Sequence, residues 1–112
     1  MTELRLVAEK ISLLDQNNGM LRFELFNLKM LSLAFNSICT IQGLDYLKNL
    51  KELDLSNNRI KKMDKLNFPC LLNLNLAGNR LKRIENLRNC KKLIYLDLSH
   101  NYITDASIKG SS

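Results

Sequence analysis

Residues 50–60 read LKELDLSNNRI, and residues 71–81 read LLNLNLAGNRL. The same pattern occurs earlier as LKMLSLAFNSI at residues 28–38 and later as LIYLDLSHNYI at residues 93–103. All four stretches fit L-x-x-L-x-L-x-x-N-x-I/L, and the interval between their starting leucines is nearly constant. The chain is therefore built from one structural unit that recurs at a nearly fixed period.

The leucine spacing within each copy predicts a short β-strand. The central Leu-x-Leu pair has the period of two that places both leucines on one face of a strand. After the asparagine, apolar residues recur every three positions, as in Ile60, Met63 and Leu66. That spacing predicts 3₁₀ turns or a short helix. Each copy is thus a strand, a corner and a return segment.

One such unit cannot bury its leucines alone, so neighbouring units must stack. Stacking predicts a right-handed α/β solenoid that forms a short horseshoe arc. Its parallel β-sheet lies on the concave face, and its turns or short helices lie on the convex face. We expect each corner asparagine to bond backbone groups of its own coil and of the adjacent coil, because its amide carries both donors and an acceptor. These asparagines are Asn36, Asn58, Asn79 and Asn101.

The full pattern L-x-x-L-x-L-x-x-N-x-I-x-x-I-x-x-L appears as LKELDLSNNRIKKMDKL and LLNLNLAGNRLKRIENL. It resembles the 22-residue subclass of leucine-rich repeats. That subclass includes a regulatory subunit of protein phosphatase 1, a light chain of axonemal dynein and the leucine-rich subunit of the U2 spliceosomal particle. The resemblance covers residues 28–103 and implies a binding role. The matching residues are scaffold leucines and asparagines, which do not select a partner.

The two ends depart from the repeat. Residues 1–27 fit a degenerate first repeat or N-terminal cap, with Glu9 at the asparagine position in one register and Gln16 in another. Residues 28–103 hold four repeats, the last incomplete, and residues 104–112 form a tail or makeshift cap. Three interpretations of this end stay open: the chain is part of a longer repeat protein, a second chain covers the exposed strand edge by self-association, or the end is closed by Ile103, Ala106 and Ile108.

Composition narrows the class of protein. The 112 residues include 17 Lys and Arg against 11 Asp and Glu, a net charge of +6 that favours acidic partners. No apolar run is long enough to span a membrane, and MTELRLVAEK is too charged for a signal peptide. The odd number of cysteines, Cys39, Cys70 and Cys90, predicts a reducing compartment. We therefore expect a cytoplasmic protein, with nuclear, cytoskeletal and ciliary locations left open.

The chemistry-bearing residues do not predict an enzyme. Catalysis needs convergent titratable groups, and the single histidine, His100, lies at a loop position where a solvated side chain is the simpler interpretation. The three cysteines are far apart in the sequence and lack the close spacing typical of zinc ligands. No glycine-rich phosphate loop occurs. We expect no catalytic residue, no metal and no cofactor.

The outward strand positions predict a protein-binding site on the concave sheet for a helix or loop of a partner. Met30 and Tyr95 offer apolar or amphipathic anchors, and the charges there are all acidic. A plainly solvated sheet face is the alternative. The predicted contacts, with two residues at the rim, are Met30, Ser32, Phe35, Glu52, Asp54, Asn73, Asn75, Tyr95, Asp97 and His100.

Basic residues follow the asparagines in two adjacent copies, and we call six of them the basic edge: Arg59, Lys61, Lys62, Arg80, Lys82 and Arg83. They predict a second, alternative function as a component that binds RNA or belongs to a ribonucleoprotein. No aromatic residues interleave these cations along the sequence, which weakens the prediction of single-strand binding. Solvated charge explains them equally well.

Overall fold

The strands of the repeat form a single parallel sheet. The computed structural model describes residues 3–5, 27–41 and 44–104. It contains five strands of three residues each: β1 Glu3–Arg5, β2 Met30–Ser32, β3 Glu52–Asp54, β4 Asn73–Asn75 and β5 Tyr95–Asp97. Their order in the sheet is β1-β2-β3-β4-β5, which is the order along the chain. The predicted solenoid is confirmed.

Adjacent strands pair leucine against leucine. Leu53 lies opposite Leu31 on one side and opposite Leu74 on the other. Parallel strands lie about 4.8 Å apart, so each coil stacks directly on the next. At the N-terminal end, Leu4 pairs with Leu31, which is the pairing required by the register with Glu9 at the asparagine position. Glu9 and Gln16 themselves lie outside the described residues.

The core is a stack of apolar side chains between the sheet and the return segments. The first strand leucines Leu31, Leu53 and Leu74 are all buried. Burial is weaker in the last described coil, where Leu96 is half-buried and Ile94 is 80% exposed. The return segments complete the core with the buried side chains Ile41, Leu44, Leu47, Ile60, Met63, Leu66, Phe68, Leu81 and Cys90.

Single turns close the return segments. The N–H of Leu71 donates to the Phe68 carbonyl at 3.1 Å, and the N–H of Cys90 donates to the Leu87 carbonyl at 3.0 Å. Each of these bonds joins positions i and i+3, as in a 3₁₀ turn. The described residues contain no helix, so in this part of the chain the return segments are 3₁₀ turns and not short helices. One such turn is enough to direct side chains three positions apart into the core.

The corner asparagines tie each coil to the one before it. The Nδ2 of Asn79 donates to the carbonyl of Leu76 in its own coil at 3.0 Å and to the carbonyl of Leu55 in the preceding coil at 3.0 Å. Its Oδ1 accepts the N–H of Ile60 at 3.1 Å. Asn58 and Asn101 make the equivalent bonds. The role expected for the corner asparagines is confirmed for these three residues, and Asn36 donates to the Leu33 carbonyl of its own coil at 2.7 Å.

The C-terminal end is described as far as Thr104. Ile103 packs half-buried against the core, while Ala106 and Ile108, the other members of the expected makeshift cap, lie outside the described residues. The described part of the chain contains no helical segment with the length and hydrophobicity that crossing a membrane requires.

Candidate partner-binding site

The concave face of the sheet holds a shallow groove with a volume of about 380 Å³. Its polar and amphipathic lining comes from residues that the sequence predicted as partner contacts, and the strand leucines Leu31, Leu53 and Leu74 contribute the rest. The predicted contacts that line it are Met30, Glu52, Asp54, Asn73, Asn75 and Tyr95. Ser32, Phe35, Asp97 and His100 lie outside the groove lining.

Strand pairing arranges the predicted contacts in two rows across the sheet. The first row consists of Met30, Glu52, Asn73 and Tyr95, which lie side by side in register. The second row consists of Ser32, Asp54, Asn75 and Asp97. The two rows differ in the hydrogen bonds that their side chains make within the fold.

The second row closes the turn that follows each strand. Asp54 Oδ1 accepts the N–H of Ser56 at 2.9 Å, and Asn75 Oδ1 accepts the N–H of Ala77 at 3.0 Å. These are Asx turns, in which a short polar side chain bonds the backbone two positions later. Ser56, at this tight corner, is buried. Asp54 and Asn75 were predicted from the sequence as partner contacts, and this structural role was not predicted.

Asp97 makes the same turn with an additional bond. Its Oδ1 accepts the N–H of Ser99 at 3.0 Å and the Ser99 hydroxyl at 2.7 Å. These hydrogen bonds, with a smaller contribution from nearby His100, lower the pKa of the Asp97 carboxyl. The carboxylate is therefore fixed in direction and stays charged at neutral pH.

The side chains of the first row make few contacts within the fold. Glu52 and Tyr95 are exposed, and Tyr95 retains 56% of its accessible surface. The only hydrogen bond found within this row joins Asn73 Nδ2 to Glu52 Oε1 at 3.4 Å, which is long for such a bond. Met30 is half-buried. The row thus combines an apolar end, a carboxylate, an amide and an aromatic ring.

The rim residues Phe35 and His100 share an unusual backbone conformation. Phe35 has φ 59° and His100 has φ 56°, both in the left-handed region. Asn57 and Gly78, at the equivalent position of the two coils between them, have φ 57° and φ 70°. This position directly precedes the corner asparagine, so the chain must reverse sharply there. Phe35 is nevertheless 79% exposed, and its ring has no part in the core.

The basic edge lies past the same corners. The N–H of Arg59 donates to the Ile38 carbonyl and that of Arg80 donates to the Ile60 carbonyl, which places the two arginines in register on adjacent coils. All six side chains of the basic edge are exposed, and none forms an ion pair within the described residues.

An aromatic residue completes the arginine row. The N–H of Tyr102 donates to the Leu81 carbonyl at 2.8 Å, so Tyr102 stands beside Arg80 on the next coil and is 62% exposed. No aromatic residue interleaves the six cations along the sequence, but in the structure Tyr102 flanks them on the next coil. The signal was present in the repeat alignment, which puts Tyr102 one period after Arg80.

Other chemistry is sparse in the described residues. They contain no group of three or more His, Cys, Asp or Glu residues that could hold a metal ion. Cys39, Cys70 and Cys90 are free thiols, and burial raises the pKa of the Cys90 thiol. Cys90 therefore behaves as a small apolar side chain, as its place before a strand predicts.

Comparison with known proteins assigns the repeat. The family model described as Leucine Rich repeats (2 copies) matches residues 26–68 and again residues 71–110. The chain belongs to the leucine-rich-repeat family. Leucine-rich-repeat domains generally mediate protein–protein interactions, and the repeat itself is non-catalytic. The family therefore supports a binding role, which agrees with the open groove.

Two proteins that this chain resembles are much longer than the chain itself. A probable inactive serine/threonine-protein kinase of Dictyostelium discoideum is 32% identical over 105 residues, which is 91% of this chain and 5% of that protein. The crystal structure of an internalin from Listeria monocytogenes matches with a TM-score of 0.64 and 31% identity, over 77% of this chain and 27% of that chain. The chain thus spans a small part of each.

Proposed function

We propose that this leucine-rich-repeat chain is a protein-interaction module that binds a helix or loop of a partner protein in the concave groove. The observation that carries the proposal is the first row: Glu52 and Tyr95 are exposed side by side with Asn73, and the fold makes little use of them. Aromatic anchors next to hydrogen-bonding groups are typical of the residues that dominate interface energetics.

The charges of the groove define the chemistry of the partner. Glu52 and Asp54 are the charged residues that line it, and both are acidic. Asp54 Oδ1 is occupied by the Ser56 N–H, but a carboxylate can accept further bonds at its other oxygen. We infer a partner segment that presents a basic side chain to Glu52 and an apolar side chain to Met30 or Tyr95.

The proposal is tested by affinity capture with paired variants. Glu52→Lys and Tyr95→Ala change exposed first-row residues, so we expect both variants to keep the thermal midpoint of the native chain and to lose the captured partner. Asp45→Lys is the matched control, because it introduces the same charge reversal at an exposed residue outside the groove. Equal capture by all variants, or equal loss in the control, would contradict the site.

Three finer assignments accompany this proposal. The nearly constant interval between copies and the L-x-x-L-x-L-x-x-N-x-I framework support membership of the 22-residue subclass. The small fractions of the two relatives that are covered, 5% and 27%, support a module within a larger regulatory or scaffold protein. The free cysteines support an intracellular setting. Isolation of the full-length transcript tests the second assignment directly.

The outer edge of β5 supports self-association as a second mode of binding. In the preceding coil, the N–H groups of Leu76 and Gly78 donate to Asp97 and Ser99. The corresponding N–H groups of Leu98 and His100 find no acceptor within the described residues, and Ile94 nearby is 80% exposed. We expect dimers in analytical ultracentrifugation that Ile94→Lys abolishes. A native chain that stays monomeric at high concentration contradicts this mode.

A further inference from the structure

The basic edge sets like charges side by side. The backbone hydrogen bonds place Arg59 and Arg80 in register on adjacent coils. The repeat alignment pairs Lys61 with Lys82 and Lys62 with Arg83 in the same way. Coils of a parallel sheet are about 4.8 Å apart, and like charges placed directly opposite one another destabilise the pair. Within residues 27–41 and 44–104, no carboxylate forms an ion pair with any of these six cations. A ligand with regularly spaced negative charges would remove the repulsion.

An aromatic ring extends the same surface. Tyr102 continues the arginine row on the last described coil and is 62% exposed. His100, two positions earlier, is also exposed. Aromatic side chains beside a positively charged track are the arrangement on which unpaired bases stack. A peptide of acidic residues alone would use the cations but not the ring, whereas a single strand of nucleic acid uses both, so the combination favours nucleic acid.

We propose that the basic edge and Tyr102 bind single-stranded nucleic acid. The phosphates lie along the cation rows, and one base stacks on the ring of Tyr102. Single strands are favoured over duplexes because only unpaired bases expose a face to the ring. This surface is distinct from the concave groove, whose lining includes none of its residues. The nucleic-acid proposal can therefore be tested independently of the protein-binding proposal.

Binding is measured by fluorescence anisotropy with a labelled oligouridine of about 16 nucleotides, a length that covers a typical single-strand site. Each phosphate contact contributes about −0.7 to the slope of log affinity against log salt concentration, so six contacts predict a slope of about −4. Affinity should therefore fall roughly 300-fold between about 50 mM and 200 mM salt. No binding even at the lower concentration overturns the proposal.

Reversing two charges on one coil distinguishes a loss of nucleic-acid binding from a loss of folding stability. Arg80→Glu with Lys82→Glu turns two repulsive pairs into attractive ones, so the thermal midpoint should rise while affinity falls at least about tenfold. The matched control is Lys91→Glu with Lys92→Glu, at exposed residues before β5. Each reversal changes the charge by two, so both double variants carry +2 instead of +6. Equal loss of affinity in the two variants overturns the proposal.

The ring is tested apart from the charges. Tyr102→Ala should weaken oligouridine binding about fivefold or more, and Tyr102→Phe should retain it, because stacking needs the ring and not the hydroxyl. An abasic strand of the same length should bind the native chain as weakly as oligouridine binds Tyr102→Ala. If the abasic strand or a polyglutamate peptide binds as tightly as oligouridine, the surface recognises charge alone and the nucleic-acid assignment is wrong.

Discussion

The side chain of Asn57 fills the space next to Gly78 in which a Cβ atom would lie. A Cβ built on Gly78 would come within 2.5 Å of Asn57 Oδ1 and 3.4 Å of the Asn57 Cα. Gly78 also has φ +70°, a conformation that L-residues with a side chain adopt at a cost. The two residues occupy equivalent positions of adjacent coils, so the absent side chain of one accommodates the amide of the other.

Gly78→Ala should lower the free energy of unfolding by about 1–2 kcal/mol, mainly because alanine is strained at positive φ. The contact with Asn57 is the smaller part of the cost, since that side chain can rotate away. We expect Gly78→Ala in an Asn57→Gly background to recover only a minor fraction of the loss. Urea denaturation of the single and double variants measures both effects, and full recovery would show that the contact dominates.

Phe35 occupies the same backbone position with a residue poorly suited to it. Asn is several-fold enriched over most residues at positive φ, and Asn57 occupies this position in the next coil. Phe35→Asn should therefore raise the free energy of unfolding by about 0.5–1 kcal/mol, because the exposed ring contributes little packing. Phe35→Leu, which keeps a large apolar side chain at the same φ, is the control and should give no increase. A destabilised Phe35→Asn variant would show that the ring supports the fold.

Removing a corner asparagine should destabilise the chain more at a buried corner than at a half-buried one. Asn79→Ala leaves the buried Ile60 N–H without an acceptor and removes one of the two side-chain amides that donate to the Leu55 carbonyl, so it should cost about 1–3 kcal/mol. Asn101→Ala removes the same set of bonds at a half-buried site, where water can replace them. We therefore expect a smaller loss for Asn101. Thermal unfolding of the two variants checks the order, and a larger loss at Asn101 would contradict it.

Asp97 predicts a dependence of stability on pH. Its pKa is lower in the folded chain than in the unfolded chain, so its contribution is fully present above the ordinary aspartate value of about 3.9 and is lost as the pH falls through the folded value. Asp97→Asn keeps an Oδ1 acceptor for the Ser99 N–H, as Asn75 does for Ala77. When the pH is lowered from neutral to below the aspartate pKa, the urea midpoint of the native chain should fall. The urea midpoint of Asp97→Asn should fall less over the same pH range. Parallel curves would contradict the assignment.

The repeat made the fold predictable because its residues act through periodicity. Leu53, Leu74 and Asn79 have one role in every coil, so the nearly constant spacing between copies defines strand, register and corner together. The conformation of the return segments was less predictable from the sequence. An apolar side chain at every third position fits both a turn and a helix, and only the packing of successive coils selects the single turns.

The candidate site was predictable only in part. Sequence alternation identified Asp54 as outward-facing, but nothing in the sequence distinguished a carboxylate that binds a partner from one that accepts the Ser56 N–H. The left-handed backbone at Phe35 was missed because phenylalanine, unlike glycine or asparagine, gives no indication of positive φ. The pairing of Tyr102 with Arg80 needed the register between coils, because the two residues are far apart in sequence.

The hydrogen bonds of the corner asparagines run in one direction along the chain. The carbonyls of Leu33, Leu55 and Leu76 receive side-chain amides from the asparagine of the following coil in every case. A ribosome releases the N-terminal coils first, so each of these carbonyls has only the asparagine of its own coil as a side-chain partner until the following coil has emerged. Folding during synthesis then proceeds one coil behind elongation. A translational pause within one repeat would hold the preceding corner open for as long as the pause lasts.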